Sequence, residues 1–478
     1  MVESKQEIES KKDSNGFYRK QKFYYLIIKI PFTLIPGIFL MVYMYYFWDS
    51  LGIAYSYFVI GMIIYGIVNA LNDPLLGQWS DRVNVNKWGS RRLVFIKYGG
   101  PIWAFFFFII WFPWSYDNPI ILFLHFVIMM VLYDNMLTMV ILVWDALLPE
   151  IAESIEDRNK IFFLGNFVGI LGGIPVLFAL SIIKAGLITF QIFTGILAII
   201  SAIIFVVAAT KLRERPELTQ ERNVPGFIES IKQCLRSKSF VSFSFYRFFL
   251  VMNDFMLNSF MFAYALLFTE GFETLLLIIF ALGGLIGQLI FVRLSEKKEM
   301  QSLIMHGRTI GISLSIVAFL ISLVQGTDII WFGLLVIKVI VGGSVVFVNP
   351  YLILVTDEDE MKYDARREGM YLGTNAIFNK IAESTGPILA VTILLLFGYI
   401  QGAPRTLQSE TAIIGIKFLL LIVPSIMDVL GMIALSFYPI KGEYLKELKS
   451  YIEKAHEEKL IKYEKSKGLS EIDDIKKK

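Results

Sequence analysis

Twelve apolar segments, each long enough to cross a bilayer, follow one another along the chain. They fall at roughly 23–48, 52–77, 94–114, 119–148, 161–183 and 187–210, then at roughly 240–269, 272–294, 302–324, 328–355, 369–399 and 410–439. In hydrocarbon the backbone must satisfy its own polar groups, so segments of this length and composition fold as helices. A span takes about 20 apolar residues, and twelve would use about 240. The chain has 478 residues, of which 56% are hydrophobic and 18% charged, and its mean hydropathy is +0.61. A soluble chain carries nearer a quarter charged residues. The fold class read from this is an all-α membrane protein with twelve transmembrane helices in two six-helix bundles.

The charged stretches set the organisation. Residues 1–22 alternate acidic and basic groups without an apolar core or a small-residue cleavage site, so the expectation is a cytosolic tail and an uncleaved first span. A first bundle at 23–210 is followed by a linker at 211–239, which contains Pro216, Pro225 and an amphipathic piece around Phe227 to Leu235. A second bundle at 240–439 precedes a charge-dense tail at 440–478, where Leu445, Leu448 and Ile452 stand at helical spacing. Loops after even-numbered spans hold Arg82, Arg91, Arg158, Lys211, Lys297 and Arg366 among others, while the opposite side holds little beyond Lys184 and Arg405. The excess of basic residues places both termini in the cytoplasm of a multi-pass cell-membrane protein. A formal net charge of +3 leaves no field for nucleic acid, and the single cysteine, Cys234, cannot close an internal disulfide.

Ionisable groups within spans cost about 2.5–3.5 kcal/mol each at a helix centre and so need a reason. At the end of span 2, Asn69, Asn72 and Asp73 are three and four residues apart and share one helix face. Pro74 leaves the carbonyl of Ala70 without its helical donor, which adds an oxygen. Such a cluster suits a hard monovalent cation; the alternative is that Asp73 caps or pairs with a neighbouring helix. On span 4, Asp134, Thr138, Ile141 and Asp145 follow i, i+4, i+7, i+11 spacing on one stripe. Asp134 either adds a second carboxylate to that cation site or pairs with a base elsewhere. Lys380, with Glu383 three residues on, lies deep in span 11 and must have a carboxylate nearby: Glu383 itself, or Asp73 or Asp134 across the bundle boundary. His125 reads as an interfacial residue, and Trp48, Trp111, Trp114, Trp144 and Trp331, near span ends, as an aromatic belt. Glycines 165, 169 and 173, and 283 and 287, are four apart and signal close helix packing.

The run Asn72-Asp73-Pro74 with Gly77, Asp81-Arg82 and Lys87-Trp88-Gly89 resembles the helix 2 and loop 2–3 signature of the glycoside-pentoside-hexuronide:cation symporters of the major facilitator superfamily. Pro149-Glu150 with Asp157-Arg158, and Arg366-Arg367-Glu368-Gly369, support it. The resemblance, nearest to the melibiose permease branch, implies the major facilitator fold and a cation site at Asp73, Asn72, Asn69, Thr138 and Asp134. Asn69 stands where that branch has a first carboxylate. One charge is lost, so the coupling ion, H+ or Na+, tilts toward the proton, and no metal is expected beyond a sodium ion. The sugar-binding positions fall on Thr33, Ile141, Asp145 and Asn166, so melibiose itself is a poor substrate, while the helix 11 lysine matches Lys380. The implied substrate-binding set is Thr33, Asp145, Trp144, Asn166, Asn375 and Lys380. Gly77, Asp81, Arg82, Arg91 and Arg92 are expected to form a gating loop that latches the bundles in one state; the alternative is that its charges serve only to set topology.

The function expected is a secondary active transporter, cation-coupled and monomeric, importing a sugar, glycoside or uronate by alternating access, without a cofactor. Two rivals stand beside it: a carrier of lysolipid-like amphipaths with the same fold, and a membrane-embedded enzyme or sensor. With three histidines, no HExxH, no GxSxG with a His partner and no soluble catalytic domain, the enzyme reading has little to rest on.

Overall fold

The helices follow the apolar segments. The computed structural model describes residues 19–81, 90, 92–151, 155–213, 227–268, 272–363, 368–452 and 454. The first bundle comprises α1 (Lys29–Met44, within a helical run Arg19–Ser50), α2 (Tyr55–Asp81), α3 (a π-helical turn Phe95–Gly99 continuing as Gly100–Ile109), α4 (Pro119–Ile151), α5 (Ile155–Ala185) and α6 (Leu187–Lys211). The second comprises α7 (Lys238–Ser259), α8 (Glu273–Ser295), α9 (Met300–Ser322), α10 (Asp328–Val341, a 3-10 turn Gly342–Phe347, then Val348–Tyr363), α11 (Glu368–Leu396) and α12 (Glu410–Ser436). Among the described residues, ten helical runs are both long and apolar enough to span. The other two are α3, whose apolar run Phe95–Ile109 is short, and α11, which carries Lys380 and Glu383 in its interior.

Packing repeats between the halves. In the first bundle α1 lies on α5, α2 on α4 and α3 on α6; in the second, α7 lies on α11, α8 on α10 and α9 on α12. The bundles meet through α2 with α11 and α5 with α8, pairs that interchange when the halves are exchanged, and through α1 with α7. Small residues permit the tightest crossings. A Cβ at Gly172 of α5 would collide with the Ile30 carbonyl of α1, and one at Gly287 of α8 with the Ile340 carbonyl of α10. Of the five glycines expected to mark close packing, Gly287 is the one that meets backbone.

The outside of the bundles is apolar. On α6, Ile188, Ile192, Ile196, Ile199 and Ile203 are all exposed along one stripe, a surface that only a lipid environment solvates well. The tryptophans depart from the expected belt. Trp48, Trp111 and Trp331 are fully buried and Trp144 nearly so, leaving Trp114 exposed. Their rings are spent on packing between helices: Trp111 stands edge-on to Phe190, and Trp48 stacks on Tyr399. His125 is likewise enclosed, with Nε2 against the Ile110 carbonyl at 3.0 Å.

Two amphipathic helices cover the same end of the molecule. The linker helix Phe227–Arg236 buries Cys234, and the helix at 442–452 buries Leu445 and Leu448 in the smaller hydrophobic core. Tyr444 donates to Glu358 Oε1 at 2.9 Å, fastening that helix to α10. Partial burial and this bond to a carboxylate raise the Tyr444 hydroxyl above its ordinary pKa and keep it a donor. At the opposite, far end the bundles are joined by polar and aromatic contacts. Tyr399 Oη donates to Asp49 Oδ1 at 2.9 Å, the Gly402 amide donates to the same oxygen at 3.0 Å, and Tyr55 bonds Thr392 at 3.0 Å. Ser259 donates to Tyr43 Oη at 3.2 Å, and Ser181 bonds Thr274 at 3.0 Å.

Candidate functional site

A cavity of about 140 Å³ lies between the bundles, lined from both sides. The first bundle supplies Pro36, Phe39, Leu40 and Tyr43 of α1, Met62 and Tyr65 of α2, and Met130, Tyr133, Asp134 and Leu137 of α4; the second supplies Phe255 of α7 and Lys380 and Glu383 of α11. The α1 and α4 residues recur at i, i+3, i+4, i+7, one stripe of a helix each. The walls are therefore mostly aromatic and aliphatic, and the charge is confined to one corner.

In that corner Lys380 Nζ lies 3.5 Å from Asp134 Oδ2 and 3.7 Å from Glu383 Oε2. The sequence left both partners open, and the structure brings Lys380 to both. The contact with Asp134 joins the bundles, whereas that with Glu383 stays within one helix. All three side chains are largely enclosed, at 14%, 6% and 16% exposed. Asp134 is held from the other side by Tyr65, which donates to Oδ1 at 3.1 Å, and Asn69 Nδ2 donates to the Tyr65 oxygen at 3.0 Å. Asn69 thus reaches the carboxylate through a phenol. Its own Oδ1 is buried without a hydrogen-bond partner among the described residues, an available ligand for a cation. Two carboxylates around one ammonium leave the corner a formal charge of −1, the electrostatic condition for a monovalent cation to enter.

The other residues marked in the sequence fall in three places. Thr138 is buried one turn beyond Asp134 on α4. Asn72 donates to Asn135 Oδ1 at 2.8 Å, tying α2 to α4, and Asn375 is buried on α11 with its Oδ1 unpartnered among the described residues. Nearer the linker end of the first bundle, Trp144 stacks on Tyr25 (4.5 Å between centroids) and donates to the Tyr25 carbonyl at 3.2 Å. Lys29 Nζ sits 5.0 Å over the Trp144 ring. Trp144 is thus a packed residue rather than a free stacking platform. Thr33 donates to the Lys29 carbonyl of its own helix at 3.1 Å, and Asp145 and Asn166 are exposed. Asp73, Gly77 and Asp81 belong to α2 with side chains outside the described residues, Arg82 and Arg91 lie outside them altogether, and Arg92 stands at the entry to α3.

Sequence reasoning missed Tyr65, although it stands four residues before Asn69 and so on the same face. It also missed the partner of Asp428. Arg308 Nη1 of α9 bonds Asp428 Oδ1 of α12 at 2.8 Å, a structural pair inside the second bundle. Among the described residues no group of three or more His, Cys, Asp or Glu side chains converges as a metal site.

Residues 24–442 match a family described as MFS/sugar transport protein. The chain belongs to that family. It has the major facilitator fold, with the apolar helices of a multi-pass membrane protein. Among curated proteins it is 31% identical over 197 residues to transmembrane protein 180 of Gallus gallus, a match covering 39% of this chain and 38% of that one. It is 28% identical over 208 residues to the Mus musculus protein of the same name, covering 41% and 39%. The matched stretch therefore spans about two fifths of either relative's length. An uncharacterized symporter of Synechocystis sp. is 30% identical over 105 residues, 21% of this chain and 19% of that one. Among solved structures, a bacterial homologue of the human lysosomal transporter Spinster superposes with TM-score 0.60 at 15% identity, over 89% of this chain and 96% of that one. The nucleoside transporter NupG does so with TM-score 0.60 at 16% identity, over 88% and 100%.

Proposed function

We propose that the protein is a secondary active transporter of the cell membrane that works by alternating access and moves a small sugar, glycoside or uronate together with a proton or sodium ion. The observation that carries this reading is the ion pair between Lys380 and Asp134, because it crosses from one bundle to the other at the wall of a cavity both bundles line. An incoming cation competes with Lys380 for Asp134 and Glu383. Its binding releases the bundles from one another at mid-depth, and its loss re-forms the bridge, so ion occupancy and bundle geometry are one equilibrium. The basic loops put both termini in the cytoplasm. The contacts at Tyr399, Asp49, Tyr55 and Thr392 then close the outer face, and this conformation is inward-facing. The helix 2 motif supports a place near the melibiose permease branch, and the family's description supports a sugar-class substrate.

The test is uptake of a labelled panel of sugars, glycosides and uronates into proteoliposomes under an imposed sodium or pH gradient. Accumulation of one panel member above its equilibrium level under either gradient is the expected result. No gradient-dependent accumulation of any member, with the protein folded and inserted, would overturn it.

A further inference from the structure

A second and larger cavity, about 510 Å³, opens inside the second bundle between α7, α8, α9, α10 and α12. Its volume lies within the 300–1,000 Å³ or so that small-molecule sites occupy. Its lining is unlike that of a packed core. The Arg308–Asp428 pair forms one wall, while Asp254 of α7 and Lys338 of α10 line the same space; among the described residues neither makes a hydrogen bond through its charged group or an ion pair within 4 Å, and their opposite charges, Arg247 and Arg308 for Asp254 and Asp428 for Lys338, act from further off. Asp254 contributes its main-chain carbonyl to Asn258, and its carboxylate is left to the cavity. Among the described residues, Asn253 is nine-tenths buried with Oδ1 unpartnered, and the buried Nε of Arg308 has no acceptor.

Asp254 is exposed to this space and Lys338 half-buried, so the bundle presents a carboxylate and an ammonium to one cavity without a direct ion pair on either. A ligand that pairs with each supplies a counter-charge in contact, whereas a neutral or singly charged ligand leaves at least one group without one. We infer that this cavity is a substrate site for a zwitterion, such as an amino sugar acid, whose anionic group pairs with Lys338 and whose ammonium pairs with Asp254. Asn253 and Gln288 supply the remaining hydrogen bonds to a hydroxylated skeleton, and the Arg308–Asp428 pair fixes the wall. The inference rests on the carrier reading above, and it narrows the substrate class without depending on which ion is coupled.

The test compares binding of three probes to the purified full-length protein by isothermal titration calorimetry: muramic acid, which carries both charges, glucosamine, which carries the positive one, and glucuronate, which carries the negative one. Wild type should bind muramic acid at least tenfold tighter than either single-charge probe. Lys338→Gln should bind muramic acid no tighter than glucosamine, and Asp254→Asn no tighter than glucuronate. Lys338→Arg and Asp254→Glu, which keep the charges, should retain most of the preference and report that the fold survives. Muramic acid bound no better than glucosamine or glucuronate by wild type overturns the inference, as does an unchanged preference in both charge-removing variants. The same inference fails, with the carrier reading left standing, if a neutral glycoside accumulates under an ion gradient and Lys338→Gln does not alter that uptake. The predicted binding pattern without gradient-driven uptake of muramic acid would instead overturn the carrier reading alone.

Discussion

Lys380 of α11 and Asp134 of α4 approach to 3.5 Å across the boundary between the two bundles. At about 4 Å, unit charges attract by about 4 kcal/mol at an effective dielectric of 20, enough to favour one arrangement of the bundles yet within reach of a competing ion. Lys380→Ala leaves Asp134 enclosed without its cation, and breaking such a pair from one side costs about 3–5 kcal/mol. Gradient-driven uptake should fall at least tenfold in this variant and partly recover in Lys380→Ala with Asp134→Ala. If Lys380→Ala and Glu383→Ala both transport normally, the lysine has no part in the mechanism. Proteoliposome uptake under an imposed gradient reads all three.

The far end offers a second handle. Tyr399 and the Gly402 amide both donate to one oxygen of Asp49, so the α11–α12 loop is fastened to the end of the first helical run. A hydrogen bond to a charged group is worth about 1.5–3 kcal/mol, or about ten- to hundredfold in an equilibrium. Tyr399→Phe should therefore raise the population open at this end. The chain's one cysteine is buried, so a cysteine placed at Tyr55 can be labelled against a low background. Maleimide labelling should be faster in the Tyr399→Phe background, and an unchanged rate would mean that this bond does not hold the end closed.

Much of this architecture can be read from sequence because bilayer physics is local: a run of apolar residues has few alternatives to a spanning helix. The boundaries of α8 and α9, and the amphipathic helices at 227–236 and 442–452, follow from such patterns. Partnership across helices is not local. Nothing in the spacing of Asp428 names Arg308, which lies 120 residues away, and nothing near Trp48 names Tyr399 as the ring that removes it from a membrane belt. Lys380 shows the intermediate case. Its depth demands a carboxylate, which restricts the choice to a few, but only the packing of α11 on α2, which itself lies on α4, selects Asp134.

The crossing of α8 over α10 rests on an absent side chain. Gly287→Ala would drive a methyl into the backbone at Ile340, where nothing flexible can yield. The expected cost is roughly 1–3 kcal/mol, seen as a lower unfolding temperature in detergent. Gly333→Ala, with nothing within 4 Å of the added atom, serves as the control and should be neutral or slightly stabilising. Equal behaviour of the two variants would remove the crossing as a source of stability.

Position along the helices distinguishes the two candidate coupling carboxylates. Tyr65 lines the cavity and bonds Asp134, and Asp73 follows it by eight residues on α2. At about 1.5 Å per residue that separates them by roughly 12 Å along the axis. Asp134, 3.5 Å from Lys380, is therefore the carboxylate expected to couple the ion, with position 73 about two turns further along α2. Asp134→Asn should abolish accumulation against a gradient while leaving downhill exchange measurable, because the neutral amide can no longer trade an ammonium for an incoming cation. Tyr65→Phe, which removes one donor to Asp134 and the acceptor of Asn69, should weaken ion dependence without abolishing it. Asp73→Asn should slow exchange and accumulation alike, the signature of a residue on the route rather than at the coupling point. The opposite ranking, with accumulation lost in Asp73→Asn and kept in Asp134→Asn, would move the cation site from α4 to α2. Sodium-stimulated uptake at fixed pH that resists a protonophore would then identify sodium as the ion, and uptake collapsed by the protonophore would identify the proton.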